Sequence, residues 1–324
     1  MEFGVRQKSL KLLWLEALQR RLMDGDLEAS YYAEQFRRLD AGFAGEKRVD
    51  REWQEIICPN TFFIMHNLTL YNAANHSHQV DTLFICRNFM LIIEIKNISG
   101  RLNFDEITHQ CIRTKVDGVV EGFPNPITQI QRHAQFLDTI PQKLSLPCEC
   151  AIIFSNPSAI IGRHPNTIPI LHVAGLQQHL NALFKKYPNP RLTDEHVSNF
   201  VQILRDRHQP QVVPTKISTS RFRHGVLCPN CRYKRQMLHY RGTWLCPSCN
   251  YKNVAIFAEA LQDYRLLVGP TITNRQLRAF FGINSSDVAT RLLKKFQFAS
   301  TGTYKNRVYF LPENLLEYMK PFYE

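Results

Sequence analysis

Asp81, Glu94 and Lys96 are the residues whose types and spacing most directly suggest chemistry in this sequence. Asp81 closes the run His78-Gln79-Val80-Asp81 and opens the stretch Thr82-Leu83-Phe84-Ile85, while Glu94 and Lys96 end the run Leu91-Ile92-Ile93-Glu94-Ile95-Lys96-Asn97. Side chains two apart on a strand project from one face, so Glu94 and Lys96 point together. If the two runs pair as a hairpin around Arg87-Asn88, Asp81 comes alongside them. Two carboxylates and an ammonium at the edge of a buried sheet are costly to desolvate unless something neutralises them, and a divalent cation does so. Asp81 and Glu94 can hold Mg²⁺ or Mn²⁺ by oxygen coordination. The ion then polarises a phosphoryl oxygen and acidifies a bound water, and Lys96 orients that water or stabilises the developing charge. That set is what phosphodiester cleavage needs. The plainer alternative is two surface acids and a lysine that share a hairpin and no purpose, since D…ExK spacings arise often by chance.

A second constellation is Cys228-Pro229-Asn230-Cys231 and Cys246-Pro247-Ser248-Cys249, with 14 residues between Cys231 and Cys246. Two short knuckles deliver four thiolates to one tetrahedral ion, which points to structural Zn²⁺ rather than a redox dithiol. The intervening residues have the aromatic and glycine pattern of a hairpin, and the module is similar to a zinc ribbon. So small a module buries too little surface to fold alone, so the metal should supply most of its stability. Arg221, Arg223, Arg232, Lys234, Arg235, Arg241 and Lys252, interleaved with Tyr233, Tyr240, Trp244 and Tyr251, suit phosphates and unstacked bases. A solvated basic face around a small aromatic core would carry the same residues.

The elements that must position these groups follow from periodicity. Residues 5–39 read as helical, with Leu13, Leu18, Leu22 and Leu27 near one stripe and a break at Met23-Asp24-Gly25-Asp26. The small-residue stretch Ala41-Gly42-Phe43-Ala44-Gly45-Glu46 leads into a charged helical segment through Ile57. Strands are expected over Phe62–Leu70, Gln79–Cys86 and Phe89–Ile95, with a hairpin in 101–121. A turn at Pro124-Asn125-Pro126 precedes a helix over Ile127–Ile140. Short strands at Ala151–Phe154 and Ile168–His172 and helices over Gly175–Lys186 and Asp194–Arg207 complete one α/β domain. Near the end, Thr273–Gly282 begins as a capped helix, and Asn284-Ser285-Ser286-Asp287 starts another that carries Arg291, Lys294 and Lys295. Gly302–Phe310 closes as a wing with Lys305 and Arg307. Helix, turn, helix and wing resemble a winged helix-turn-helix domain, whose second helix could enter a major groove. Such domains also mediate protein contacts.

The chain has 324 residues, enough for two or three domains. With 40 Lys+Arg against 28 Asp+Glu, the net charge of +12 favours a polyanionic partner and excludes an acidic disordered protein. Apolar runs such as Met90–Ile93 fall far short of the ~18–20 residues of a membrane span. The opening segment, interrupted by Lys11 and Glu16, reads as an amphipathic helix rather than a targeting signal. No G-x-x-x-x-G-K-[ST] loop occurs, so no ATP motor is expected. Nine cysteines, four of them in the two CxxC pairs, indicate a reducing compartment, the cytoplasm. Cys58, Cys86, Cys111, Cys148 and Cys150 read as ordinary thiols.

Asp81 with Glu94-Ile95-Lys96 resembles the PD-(D/E)xK nuclease signature, with Val80 in place of the preceding proline. Together with Gly45-Glu46, His78-Gln79-Val80-Asp81, the segment IIEIKNISG over 92–100 and Asn125-Pro126-Ile127-Thr128-Gln129, it resembles the nuclease-related domain family, NERD. The resemblance is strong over about residues 40–140 and weaker to about 207. It implies a restriction-endonuclease-like core with Asp81 and Glu94 as metal-binding acids and Lys96 as the catalytic lysine. It also implies that Glu46, on the helix before the sheet, adds a metal or water contact, and that Gln129 lies near the active site. By the same likeness His133, one turn after Gln129, would touch phosphate. The alternatives are a first-turn helix charge for Glu46 and a structural or surface histidine for His133. His76 and His78 lack a third ligand and read as loop residues.

The expectation is therefore a nuclease-like domain over 1–207, with N-terminal helices in 1–39, a linker over 208–220, a zinc ribbon over 221–256 and a winged-helix-like domain over 257–324. The implied activity is Mg²⁺-dependent (or Mn²⁺-dependent) hydrolysis of DNA, in DNA processing, repair or defence against foreign DNA; the same residues would serve RNA. The alternatives are a non-catalytic DNA-binding or regulatory protein that retains the nuclease fold, and a protein that uses its charge on a membrane surface.

Overall fold

The runs Leu91-Ile92-Ile93 and Ala151-Ile152-Ile153-Phe154 are apolar at every position, as strands covered on both faces must be, and every one of these residues is buried. The structure, a computed structural model, describes residues 2–105, 107–140, 145–210 and 217–323, with the side chains of Glu2, Phe3 and Lys305 outside that set. In chain order the elements are β1 (Glu2–Phe3), α1 (Leu10–Arg21), α2 (Ala29–Glu55), β2 (Phe62–Tyr71), β3 (Ser77–Cys86), β4 (Met90–Lys96), β5 (Gly100–Asp105), β6 (Gln110–Thr114), β7 (Val120–Pro124) and α3 (Pro126–Asp138). Then come β8 (Cys148–Phe154), β9 (Ala159–Ile161), β10 (Ile170–His172), α4 (Leu176–Lys186), α5 (Asp194–Arg207), β11 (Val226–Leu227), β12 (Gln236–Tyr240), β13 (Thr243–Leu245) and β14 (Lys252–Asn253). The last are α6 (Ile256–Leu267), β15 (Thr271–Thr273), α7 (Asn274–Phe281), α8 (Ser286–Lys295), β16 (Ser300–Thr301), β17 (Val308–Phe310) and α9 (Leu315–Met319). No helix among the described residues is long and apolar enough to cross a membrane.

Contacts divide the chain into two units, Met1–Ser9 with Arg38–Gln211, and Leu10–Arg37 with Val212–Glu324. The first holds a six-stranded mixed sheet in the order β1-β2-β3-β4-β8-β10. One face is covered by α2 and α4, through Val49, Trp53, Leu176, Leu180 and Leu183 against Phe84, Leu91, Ile93 and Ile153. The other is covered by α3 and α5, through Ile130, Leu137, Phe200 and Leu204 against Leu83, Ile85, Ile92 and Ile152. Asn125 caps α3 by accepting the Ile127 N–H at 3.0 Å, and Pro126, with no N–H to satisfy, occupies the first turn. The hairpin expected over 101–121 is present as β5 and β6, paired antiparallel from Arg101↔Thr114 to Asp105↔Gln110, and it belongs to a second sheet ordered β7-β6-β5-β9.

The small-residue stretch Ala41–Glu46 lies inside a helix rather than before one, because α2 runs unbroken through it. Gly45 serves close approach instead of a turn: a Cβ there would lie 2.4 Å from the Asn97 Cβ and 2.6 Å from the Ser155 Oγ. Asn97 reinforces that contact by donating to the Ala41 carbonyl at 2.6 Å and accepting from Arg48 at 3.0 Å. Gly45→Ala should therefore cost about 1–3 kcal/mol from overpacking, outweighing its gain of up to about 1 kcal/mol in helix propensity. A lowered urea midpoint is the expected result; an unchanged or raised one would show that α2 can shift away from Asn97 freely.

Residues 208–209, expected in the linker, are tied to β2: the His208 Nδ1 accepts the Thr69 N–H at 3.1 Å and the Gln209 N–H donates to the Thr69 carbonyl at 3.0 Å. Residues 211–216 of that linker lie outside the described residues.

In the second unit, α1 is fixed to α6 by Asp263, whose buried carboxylate pairs with Arg20 at 2.7 Å and Arg21 at 2.8 Å. These pairs explain why Leu10–Arg37 group with the C-terminal residues rather than with the sheet domain expected over 1–207. The strands β11-β12-β13-β14 form one small antiparallel sheet and β15-β17-β16 another. Thr273 and Gln276 form a capping box at the start of α7, and Gly282 ends it at φ +66. Ser285 caps α8.

Candidate active site

Strands β3 and β4 pair from Ile85↔Met90 to Thr82↔Ile93 and part at the next rung, where Asp81 faces Glu94. Beyond that rung β4 continues on β8 as far as Lys96↔Phe154, and β3 continues on β2. The parting exposes backbone groups that need partners. The Asp81 Oδ2 accepts the Ile95 N–H at 2.8 Å, so a carboxylate takes the place of a strand. On the other side of β3, Asn67 adopts φ +51, and the Asn67/Asp81 rung is missing between His66↔Thr82 and Leu68↔Val80.

Into this opening project the groups the sequence singled out. Glu94 is 2% exposed, and the Lys96 Nζ donates to its Oε1 at 2.6 Å. The same Nζ donates to the Gln129 Oε1 at 3.1 Å, which brings α3 to the site. Glu46 reaches in from α2, half-buried, with its Oε2 on the Arg6 Nη1 at 3.0 Å. Asp81, Glu94, Lys96, Gln129 and Glu46 are thus gathered in one region from β3, β4, α3 and α2.

Burial pushes the Glu94 carboxyl up to about 8, with the Asp81 charge adding to the rise and Lys96 opposing it. Burial and Asp81 likewise push Glu46 up to about 7 against the pull of Arg6. Asp81 is also raised by burial, against the Ile95 N–H, Lys96 and Arg6. Buried acids whose carboxyls are held above their ordinary range form a donor set that a hard divalent cation fits, since the ion offsets the same desolvation. Glu46, Asp81 and Glu94 do not gather as tightly as the cysteines described below. Mg²⁺ characteristically takes one or two carboxylates and completes its shell with water and phosphate, so the pair Asp81 and Glu94 suffices.

A pH dependence follows. An acid whose folded value lies above its unfolded value binds more protons folded than unfolded between the two, so stability is lost as pH rises through that window. For Glu94 the window runs from 4.5 to about 8. Metal-free protein should lose stability between pH 5 and pH 8, with a slope of up to about 1.4 kcal/mol per pH unit for each such acid. Glu94→Gln should flatten that slope in thermal melts. Equal slopes in wild type and variant would remove Glu94 as its source.

His78 and His133 are both buried, with their Nδ1 atoms 3.4 Å apart, and His78 stacks on Phe136 with ring centroids 4.1 Å apart. His78 is thus part of a packed cluster on β3 rather than a loop residue, and His133 is not on the surface. His76 is exposed. Arg6, Asn67 and Asn97 were missed by sequence reasoning. Asn97 lies inside the quoted IIEIKNISG segment and could have been noticed; nothing local marks Arg6 or Asn67.

In the second unit the four cysteines converge. The Sγ atoms of Cys228 and Cys249 lie 3.6 Å apart, those of Cys231 and Cys246 3.8 Å, and all four within 4.8 Å of one another. Among the described residues this is the one group of three or more His, Cys, Asp or Glu so tightly placed, and it could hold a metal ion. Left-handed residues follow each pair, Arg232 and Tyr233 after the first and Asn250 after the second, and turn the chain back around the sulfurs. Burial opposes ionisation of Cys246, but the Ser248 and Cys249 backbone N–H groups outweigh it and hold the thiol down at about 7.

The surrounding basic and aromatic residues divide into two sets. Arg221 pairs with Asp26 at 2.7 Å and Glu28 at 2.8 Å, and Arg223 with Asp24 at 2.7 Å, so both are engaged within the protein. Trp244 is buried and stacks on Phe257, so it is core and not a platform for bases. Arg232, Arg235, Arg241 and Lys252 are exposed, and Arg241 covers the exposed Tyr240 ring at 5.2 Å. On α8, Arg291, Lys294 and Lys295 are exposed. The Lys305 side chain lies outside the described residues, and Arg307 is half-buried.

Residues 41–155 match the family model described as nuclease-related domain, NERD, which supports the resemblance drawn from the motifs and suggests a nuclease-related function. The matched range holds Glu46, Asp81, Glu94, Lys96 and Gln129. An uncharacterized protein of Bacillus anthracis is 26% identical over 165 residues, 49% of this chain and 72% of the relative. No solved structure matches.

Proposed function

We propose that this protein is a metal-dependent nuclease that hydrolyses DNA phosphodiester bonds on a PD-(D/E)xK-type core, with a zinc ribbon and a winged-helix module as accessory DNA-binding parts. The observation that carries the reading is the Lys96 ammonium bonded to both Glu94 and Gln129 where β3 and β4 part beside Asp81. Asp81 and Glu94 would hold the ion, and Mg²⁺ or Mn²⁺ would supply Lewis-acid polarisation of the phosphoryl group and acidification of a water. The Ile95 N–H fixes the Asp81 carboxylate and Gln129 fixes Lys96, so both are oriented before substrate arrives. Lys96 has three N–H donors, two of them committed to Glu94 and Gln129; the third can turn to the attacking water or the charged phosphoryl oxygen. Glu46, at the α2 side, would accept a proton from the water network.

The four cysteines would hold structural Zn²⁺, a thiolate site suited to a reducing cytoplasm. The exposed Arg291, Lys294 and Lys295 of α8 would meet phosphates. The test is cleavage of linear, circular and single-stranded DNA, with and without Mg²⁺ or Mn²⁺, by wild type and by Asp81→Asn. Metal-dependent cleavage lost in the variant with DNA affinity retained is the expected result. Tight DNA binding with no cleavage of any substrate would favour a regulatory protein on a retained fold.

A further inference from the structure

Resting on that reading, we propose that Arg6 is a positioning residue of the active site, whose guanidinium holds Glu46 and the Asp81 main chain in place behind the metal-binding acids. The Arg6 side chain is wholly buried, and its fork of donors is spread over three elements. Toward α2, its Nη1 donates to the Glu46 Oε2 at 3.0 Å and its Nε to the Asp50 Oδ2 at 2.9 Å. Toward β2, Nη1 donates to the Asn67 Oδ1 at 3.1 Å and Nη2 to the His66 Nδ1 at 2.9 Å. Toward β3, Nη1 donates to the Asp81 carbonyl at 2.9 Å and Nη2 to the Thr82 Oγ1 at 2.7 Å.

The contact with the Asp81 carbonyl separates this arrangement from an ordinary buried ion pair. Asn67 is left-handed, so β2 supplies no ladder bond at the Asp81 rung, and Arg6 supplies one in its place. Asp81 is therefore held at two points, by Arg6 on its main chain and by the Ile95 N–H on its carboxylate. His66 suits the role of acceptor: burial, with the Arg6 charge next, pushes it down to about 4, so its ring is neutral and Nδ1 can carry a lone pair. The arginine is delivered by β1, which pairs in parallel with β2 through Glu2↔Phe63 and Phe3↔Ile64. A lysine would keep the charge, but a single ammonium cannot reach Glu46, Asp50 and the Asp81 carbonyl in one geometry.

The experiment uses the full chain as wild type, Arg6→Lys and Arg6→Ala. It measures thermal melting, Mn²⁺ affinity by calorimetry, DNA affinity, and kcat and KM for cleavage. Arg6→Lys should stay folded and keep wild-type DNA affinity and KM. Its kcat and Mn²⁺ affinity should drop about 10–100-fold, the scale of losing an outer partner of metal ligands. Arg6→Ala should regain activity in added guanidinium and not in sodium chloride of equal ionic strength. If Arg6→Ala does not fold, Arg6→Lys carries the test. A wild type that cleaves while Arg6→Lys matches its kcat and Mn²⁺ affinity overturns the positioning role and leaves the nuclease reading standing. A wild type that neither binds Mn²⁺ nor cleaves overturns both.

Discussion

Lys96→Ala should lower kcat for metal-dependent cleavage about 10²–10³-fold, the usual cost of deleting one preorganised charge-stabilising donor. Two effects act in the same direction. The ammonium that would face the phosphoryl charge is gone, and Glu94, 2% exposed, loses the cation 2.6 Å from its Oε1. Without that partner the Glu94 carboxyl is driven further up and holds its proton against an incoming cation, so the apparent metal affinity should drop as well. Lys96→Arg should not restore the rate, because a planar fork cannot place one donor on Glu94 and another on Gln129 in the geometry an ammonium uses. DNA affinity, which the proposed function assigns to the exposed cations of the second unit, should change little. Single-turnover kinetics at saturating Mg²⁺ beside a binding titration separate these quantities; a Lys96→Ala rate within tenfold of wild type would remove Lys96 from the chemistry.

If the four cysteines hold Zn²⁺ as proposed, Cys246→Ser should abolish its binding and unfold the small sheet of the second unit. Structural Zn²⁺ contributes about 10–16 kcal/mol in modules of this size, comparable to or above the ~5–15 kcal/mol total stability of a typical domain. The loss should therefore be all-or-none. The strands it would release, β11 to β14, bury little besides Val226, Leu227, Met237 and Trp244. Trp244 stacks on Phe257 of α6 with centroids 5.3 Å apart, so the damage should spread into the neighbouring helices. Elemental analysis should find one zinc per wild-type chain and none in the variant, and limited proteolysis should cut the variant between residues 226 and 253. Metal-free protein as protease-resistant as the holo form would show that the four thiols contribute nothing to folding.

The parts of the site legible in the sequence were those governed by a two-residue period. Glu94 and Lys96 had to share a face because alternation in a strand leaves no other arrangement, and Asp81 comes beside them because the two runs do pair as a hairpin around Arg87-Asn88. The capped start of α3 at Asn125-Pro126 placed Gln129 by the same local logic. Arg6 was invisible for the opposite reason: its partners lie 40 to 76 positions away, and a lone arginine before a helix carries no period. The part played by Gly45 within Ala41–Glu46 could not be read locally, because small residues suit turns and close packing alike, and only Asn97, brought in by the sheet, shows which applies. His78 read as a loop residue and His133 as a structural or surface one, but stacking on Phe136 and pairing with His133 let His78 sit inside, and His133 is buried beside it. The Cys-x-x-Cys spacing announced the sulfur cluster, whereas the engagement of Arg221 and Arg223 by Asp24, Asp26 and Glu28 depends on a segment nearly two hundred residues distant.

At the parted rung between β3 and β4 the Ile95 N–H is held by a side chain, the Asp81 carboxylate, where β3 no longer pairs with β4. Its hydrogen–deuterium exchange is thereby a gauge of that carboxylate's state. Asp81→Asn keeps a carbonyl oxygen there and should preserve slow exchange, whereas Asp81→Ala leaves the amide bare and accelerates it. The asparagine variant thus isolates chemistry from architecture, and the alanine variant confounds them.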